Sequence, residues 1–544
     1  MPEFNIYDVD AAVAAAYPER EAVVQDQRRR TFGEFIARAN AVANALLAAG
    51  LTVSRERAGL ESQESGQAHA ALYMRNSAEH AESLIACFGA RVMPVNVNFR
   101  YVADELAYLL NDARVEAIVV QSEFAPVLQD VLPHLLVVPR LLMQVPDDSG
   151  HPLLPGARWY EDVIASHSTN TPLVDRSPND LYGLYTGGTT GMPKGVLWRQ
   201  ADAFVPLFGG RRPDNTEWTS LAEIVAGATG NQRICPAAPM MHAAGQWPAV
   251  RSLTGGHTLV LPGSAPSFDA ADYARLLEDE RVTNTNVVGD AFIVPFLAEL
   301  DRRPRAFPHL RRLASGGVST SLRVKQGLLA RIPHISAYET SGASETGAVL
   351  AHESFAAGVI EVGVFRLLST GCVLSADQTR VLEPGSGEIG WLAAKGRVPL
   401  GYLGDAEKSA ATFPVIDGVR RSIPGDRVTY HADGVVEFHG RESGTINTGG
   451  EKVFPFEVEH VLLQHDAIRD VVVVGRPNGR WGTEVVALVE METDADDADM
   501  QSHVRARLAA YKAPRAFIRV PLIVRGPNGK IDYRWAKDVA TRAG

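Results

Sequence analysis

The segment Tyr185-Thr-Gly-Gly-Thr-Thr-Gly-Met-Pro-Lys-Gly-Val196 gathers groups suited to binding phosphate. Gly187, Gly188 and Gly191 would let the backbone approach a polyphosphate, and successive N–H groups can form an anion-binding concavity. Thr186, Thr189 and Thr190 add hydroxyl donors, and Lys194 adds a positive charge whose direction Pro193 restricts. An ordinary polar turn does not require three threonines, four glycines and a lysine in so short a run. The spacing is not that of the GxxxxGK[ST] loop, because Pro193 precedes the lysine and Gly195 follows it. Nor does it match the GxGxxG turn of a dinucleotide fold. By itself the segment implies a polyphosphate bound directly after a strand.

That strand is Leu181-Tyr-Gly-Leu-Tyr-Thr, and its surroundings predict the frame that holds it. Residues 31–49 read as a capped amphipathic helix: Thr31 can cap, Glu34 stands three residues on, and Gly50 ends the run. Apolar runs at 70–73, 117–120 and 135–138 alternate with helical patterns at 81–91 and 104–111. Such alternation predicts a parallel sheet with helices on its faces. A second cycle of strands is expected at 233–236, 255–262, 282–288 and 312–317. From about 359 to 438, short strands split by glycine and proline predict an antiparallel region. A strand from Asp470 and a helix over 499–511 then predict a small α+β tail. The expected organisation is therefore α/β. A large unit, 1–440, combines parallel α/β parts with an antiparallel β part, and a small mobile α+β unit, 441–544, follows it.

At 544 residues the chain exceeds one ordinary core, which agrees with more than one domain. Its 46% hydrophobic and 22% charged residues are normal for a globular protein. A net charge of −11 disfavours nucleic acid as a partner but leaves room for ATP at a local loop. Cys87, Cys235 and Cys372 lie far apart without metal-ligand spacing, so they read as isolated thiols of a reducing compartment. The acidic N-terminus lacks the basic start of a signal peptide, and no run approaches the roughly 20 apolar residues of a membrane span. A cytoplasmic protein is expected. The run Arg28 to Arg30 reads as a solvated turn, and segments 54–69 and 211–231 carry no interpretable motif. The oligomeric state is left open, a homodimer included.

The glycine- and threonine-rich segment resembles the phosphate loop of the acyl-adenylating superfamily, which includes acyl-CoA synthetases, firefly luciferase and peptide-synthetase adenylation domains. The likeness spans essentially the whole chain and is nearest to actinobacterial fatty-acyl and steroid side-chain CoA ligases. Ligases that activate polycyclic terpenoid acids are similar too. It is carried further by Val95-Asn-Val-Asn-Phe-Arg-Tyr-Val, Leu197-Trp-Arg, Pro239-Met-Met-His242 and Asp532-Tyr-Arg-Trp-Ala-Lys.

The resemblance implies roles residue by residue. Lys194 and Lys530 would be catalytic, with Lys530 lying in Arg525-Gly-Pro-Asn-Gly-Lys530, near the PxGK motif. Glu345, in Ser341-Gly-Ala-Ser-Glu345, would hold Mg²⁺, with Gly342, Ala343 and Ser344 beside the nucleotide. Ser341 stands where many relatives carry an aromatic residue that packs on adenine. Gly316, Gly317 and Val318 would contact adenine, although a tight strand-to-helix turn reads equally well. Asp426 would accept from the ribose hydroxyls and Arg441 would contact ribose or phosphate. Ser443 occupies the hinge position, where relatives often carry Asp or Lys. Gly449, Gly450 and Lys452 would border the CoA tunnel. Met241, His242, Gln246, Gly289, Asp290 and Phe292 would shape the acyl pocket, with His242 catalytic in orienting the acid or else a structural histidine. No acidic residue falls between Ile234 and Val250, which disfavours an amino-acid substrate.

The implied reaction is formation of acyl-AMP and pyrophosphate from Mg-ATP and a bulky apolar carboxylic acid, followed by transfer of the acyl group to CoA. Adenylation alone with a different acceptor, a luciferase-like oxygenase and an idle ATP-binding protein are the alternatives.

Overall fold

The computed structural model describes residues 2–186, 192–263, 267–317, 320–361, 363–448, 451–479, 481–525 and 531–543. The chain forms two large sheets, and a three-stranded sheet forms a small C-terminal unit.

The first sheet has eight strands. Leu181–Thr186, Met93–Asn96, His69–Tyr73, Ala117–Gln121, Leu141–Val145 and Arg158–Trp159 run parallel across it. Lys194–Arg199 turns back antiparallel against Leu181–Thr186, and Gly401–Tyr402 adds an edge beyond it. Helix Phe32–Ala48 begins at the expected cap: Thr31 and Glu34 satisfy each other's backbone N–H groups reciprocally. Its apolar face packs with Ile6–Ala16 and Ala78–Gly89 in one core that includes Tyr7, Phe35, Phe88, Tyr182 and Trp198. The opposite face of the sheet is covered by Ala103–Asp112 and Ala125–Val131, which bury Leu106, Leu109 and Leu128.

The second sheet starts parallel with Glu21–Gln25, Thr258–Leu261, Arg233–Pro236, Asn284–Val287, Arg312–Gly316 and Ser336–Ala343. Antiparallel pairing sets in at Gly347–Ser354 and continues through Val364–Leu367, Val435–Arg441, Asp426–Tyr430 and Ile389–Lys395. The antiparallel part thus begins before 359 and shares hydrogen bonds with the parallel part. In the C-terminal unit, Ile468–Asn478, Gly482–Met491 and Ala516–Arg519 form a sheet with a core on each face.

Three local expectations are corrected. The run 135–138 is not a strand: Leu136 and Val138 are each 81% exposed, and the strand is Leu141–Val145. Pro133 and Pro139 flank the run and deny it a ladder donor at either side. Arg28–Thr31 is an edge strand rather than a turn. Its arginines reach Glu79, Glu21, Glu280 and Glu82, so ion pairing holds them in place. The helix expected over 499–511 is Asp497–Arg505, and a separate 3₁₀ turn covers Ala510–Lys512.

The segments without a motif also have places. Gln67 accepts the backbone N–H of Leu181 at 2.6 Å, and Gln63 accepts that of Gly404 at 2.9 Å, so segment 54–69 braces the start of the strand before the phosphate loop and the turn after the edge strand. Segment 211–231 contributes helix Leu221–Gly227, which packs on Ile6–Ala16, and a Glu217–Arg397 ion pair at 3.0 Å.

Candidate active site

Thr186 and Lys194 face each other across the antiparallel pair that flanks the phosphate loop. Gly187, Gly188, Thr189, Thr190 and Gly191 lie outside the described residues. The base of the loop is fixed by one buried amide. Asn96 Nδ2 donates to the carbonyls of Tyr185 at 3.0 Å and Met241 at 2.5 Å, while its Oδ1 accepts the Tyr185 N–H at 2.7 Å. The phosphate strand and the Pro239–His242 segment are thereby locked together. The Tyr185 hydroxyl also donates to Asp112 at 2.7 Å.

Lys194 Nζ lies 2.5 Å from Asp405 Oδ2. The other Asp405 oxygen caps helix Ala406–Thr412 by accepting the Lys408 N–H at 3.0 Å. The Lys194 hydrogen bond holds the Asp405 carboxyl below the usual carboxylate range. Beside this pair, Tyr402 is buried on the short edge strand and donates its hydroxyl to Glu345 Oε1 at 2.8 Å. Burial and the neighbouring Glu345 charge push the Tyr402 phenol upward, so it remains a donor.

Glu345 sits in the turn between Ser336–Ala343 and Gly347–Ser354. A Cβ on Gly342 would fall 2.0 Å from the Gly347 carbonyl oxygen, so only glycine permits this close return of the chain. The Thr346 hydroxyl accepts the Ala343 N–H at 2.8 Å and donates to Gly347 O at 2.7 Å. Buried Trp198 donates its indole N–H to Ser344 O at 3.0 Å. The turn that presents Glu345 is therefore held from behind by the strand that carries Lys194.

Asp426 and Arg441 are cross-strand partners, with Arg441 Nε 3.2 Å from Asp426 Oδ1. Burial works to lower the guanidinium value, and the charges of Asp426 and Glu345 outweigh it and raise it. Lys194, Glu345, Asp426 and Arg441 are thus gathered along the seam between the two large sheets.

Gly316 stands opposite Thr340, and Gly317 follows with φ of 83°. Ser315 Oγ accepts the Gly289 N–H at 3.0 Å, which ties the glycine turn to the start of helix Asp290–Arg302. Asp290 caps in turn the Ser321 N–H at 3.1 Å, and burial pushes its carboxyl up. Phe292 packs against Phe268, with ring centroids 4.8 Å apart. His242 is the N-cap of helix Ala243–Thr254, its carbonyl accepting the Gln246 N–H at 2.9 Å. Gln246 is buried, and its carboxamide oxygen accepts the Tyr182 hydroxyl inside the core. Lys452, on strand Glu451–Val453 opposite Asn447, donates to Glu442 Oε1 at 2.6 Å. Ser443 belongs to the 3₁₀ turn Glu442–Gly444 that follows Arg441. Val318, Gly449, Gly450 and Lys530 lie outside the described residues.

Sequence reasoning missed Tyr402, Asp405, Asn96 and Thr346. Asn96 lies in the Val95–Val102 likeness and Thr346 directly follows Glu345, whereas Gly401-Tyr402 is too short for any periodicity to mark it. For a metal, no group of three or more His, Cys, Asp or Glu forms a site among the described residues. A single carboxylate, Glu345, held by the same tyrosine that carries Lys194 over its ring nevertheless fits Mg²⁺, which keeps waters and binds through one or two carboxylates plus substrate phosphates. The three cysteines are free and buried, and no helix among the described residues is long and apolar enough to cross a membrane.

Lys194, Glu345, Asp426 and Arg441 are groups that could hold a nucleotide. The chain belongs to the AMP-binding enzyme family, which matches residues 11–402, with the AMP-binding enzyme C-terminal domain matching 457–530. It is 45% identical to a medium-chain acyl-CoA ligase, Mig, of Mycobacterium avium, over 99% of this chain and 98% of that one. It is 35% identical to a 3-oxocholest-4-en-26-oate–CoA ligase of Rhodococcus rhodochrous, over 98% and 95% of the two chains. Its fold is that of an anthranilate CoA ligase in complex with anthranoyl-AMP, with a TM-score of 0.81, 21% identity and 99% and 98% coverage.

Proposed function

We propose that this protein is an AMP-forming acyl-CoA ligase for an apolar carboxylic acid, a medium- or long-chain fatty acid or a steroid side-chain acid. The observation that carries the reading is the convergence of Lys194, Glu345, Asp426 and Arg441 on one seam, next to a glycine- and threonine-rich phosphate loop. The substrate class is supported by the medium-chain ligase at 45% identity and the steroid-acid ligase at 35%. The absence of an acidic residue near His242 supports an acid without an amino group.

In this reading the carboxylate attacks the α-phosphate of ATP, the bond to pyrophosphate breaks, and acyl-AMP forms. Lys194 leaves Asp405 to meet the departing phosphates, offsetting charge where it builds up. Glu345 would hold Mg²⁺, which supplies neutralisation of the phosphate oxygens. Asp426 accepts from the ribose hydroxyls, and Arg441, already poised between Asp426 and Glu345, orients the nucleotide. Lys530 offsets charge between carboxylate and α-phosphate. The CoA thiol then displaces AMP after the C-terminal unit, 441–544, turns about Ser443, bringing Gly449, Gly450 and Lys452 to the acyl group.

The test is a panel of medium-chain, long-chain, aryl and steroid acids with ATP and CoA, with pyrophosphate and acyl-CoA measured separately. Both products from an apolar acid support the proposal. Pyrophosphate without thioester removes the CoA half, and neither product from any acid removes the proposal.

A further inference from the structure

Beside the loop lysine stands a second cation that the proposed mechanism does not use. Lys408 lies in the first turn of helix Ala406–Thr412, and its ammonium sits 5.2 Å from the centroid of the Tyr402 ring. The Lys194 ammonium lies 5.8 Å from the centroid of the same ring. Asp405 joins the two residues as well, holding Lys194 through Oδ2 and the Lys408 backbone N–H through Oδ1. Two like charges are therefore assembled on one aromatic platform with a single carboxylate of their own. Partial burial and the nearby Lys194 both hold the Lys408 ammonium below its ordinary value, and Glu345 acts in the opposite sense. Holding like charges together costs free energy, and a polyanion placed between them removes that cost.

The register explains why the pair is durable. Gly401–Tyr402 is hydrogen-bonded to the strand that starts at Lys194, with Tyr402 opposite Val196. A Cβ on Gly401 would fall 2.7 Å from Ser409 Oγ, so helix and edge strand are in tight contact. Lys408 is thus delivered to the ring by a rigid strand–helix unit, although its side chain reaches solvent.

We propose that Lys408 is a second phosphate-binding residue, which with Lys194 and the Tyr402 ring forms a clamp for the pyrophosphate portion of ATP. The inference rests on the adenylation reading and deepens it by naming what receives the leaving group. Tyr402 then serves both sides of the site, supporting the two cations with its ring and Glu345 with its hydroxyl. Cations over an aromatic face are attracted by its quadrupole, so the platform also offsets part of their repulsion.

The experiment is calorimetric titration of the full chain with magnesium pyrophosphate, alongside steady-state kinetics, for wild type, Lys408→Met and Lys408→Arg. Lys408→Met should weaken pyrophosphate binding and raise the KM for ATP by about tenfold, the effect of losing one charge-assisted contact. The KM for the acid should stay within about twofold, since a contact to phosphate alone is removed. Lys408→Arg should recover most of the loss. Lys408→Gln is the second variant if methionine at this exposed position impairs folding. Pyrophosphate affinity unchanged in a folded variant would overturn the inference, as would equal losses for ATP and acid. A wild-type enzyme that releases pyrophosphate while the variants bind it normally refutes the clamp alone. A wild-type protein that binds no pyrophosphate and activates no acid refutes the adenylation reading with it.

Discussion

Replacing Asp405 with asparagine should tighten ATP binding. Asp405 has two tasks: one oxygen caps a helix and the other holds Lys194 at 2.5 Å. Asparagine keeps the cap, because its carbonyl can accept the Lys408 N–H, but it turns an uncharged amide toward Lys194. Only the competition for the lysine is removed. The side chains of Lys194 and Asp405 are 37% and 33% exposed, so solvent screens much of their attraction. A pair of this exposure is worth about 1 kcal/mol. Released to the nucleotide, that amount tightens the ATP dissociation constant about fivefold. The assay is titration with a non-hydrolysable ATP analogue at low salt and again at about 1 M, where the screening length falls to about 3 Å. The difference between wild type and Asp405→Asn should shrink at high salt. Unchanged or weaker binding by a folded Asp405→Asn protein would show that Asp405 positions Lys194 instead of competing for it.

Further outcomes follow from other contacts. Tyr402→Phe removes the donor to Glu345 and should raise the magnesium concentration needed for half-maximal rate by about three- to tenfold, read from metal titration of activity. Asn96→Ala strands the Tyr185 N–H and two carbonyls, so it should destabilise the large unit by about 3 kcal/mol, visible as a lower urea midpoint. A midpoint shift within error would contradict the locking role. Glu459 is buried, with its carboxyl pushed up to about 7 by burial. The folded chain therefore keeps a proton that the unfolded chain has lost above about pH 4.3, and stability falls as pH rises from there to about 7. Glu459→Gln retains the acceptor for Val473 N–H and should raise the melting temperature of the C-terminal unit more at pH 8 than at pH 4. An equal effect at both values would show that the charge is not the cause.

The parts of the fold legible in sequence were those with a long period or a local signal. Thr31 and Glu34 announced the first long helix because a capping box depends on spacing alone. The strand before the phosphate loop was legible because glycine and threonine punctuate its end. Leu135 to Val138 misled because apolar residues imitate a buried strand even where prolines keep them at the surface. For the candidate site, Lys194, Glu345, Asp426 and Arg441 were reached through motif likeness, and the structure brings them to one seam. Their support was not legible. Asn96, Tyr402 and Asp405 act across separations of 89, 57 and 211 residues, and nothing in a local window records such pairings. Gln246 and Tyr182 are paired in the same way, across 64 residues.

The most direct measurement is acid-dependent exchange of labelled pyrophosphate into ATP in the absence of CoA. Adenylation predicts exchange when a medium- or long-chain or steroid acid is added, none without acid, and a steep loss in Lys194→Ala. ATP turnover that releases phosphate and ADP, or no exchange with any acid, would contradict it.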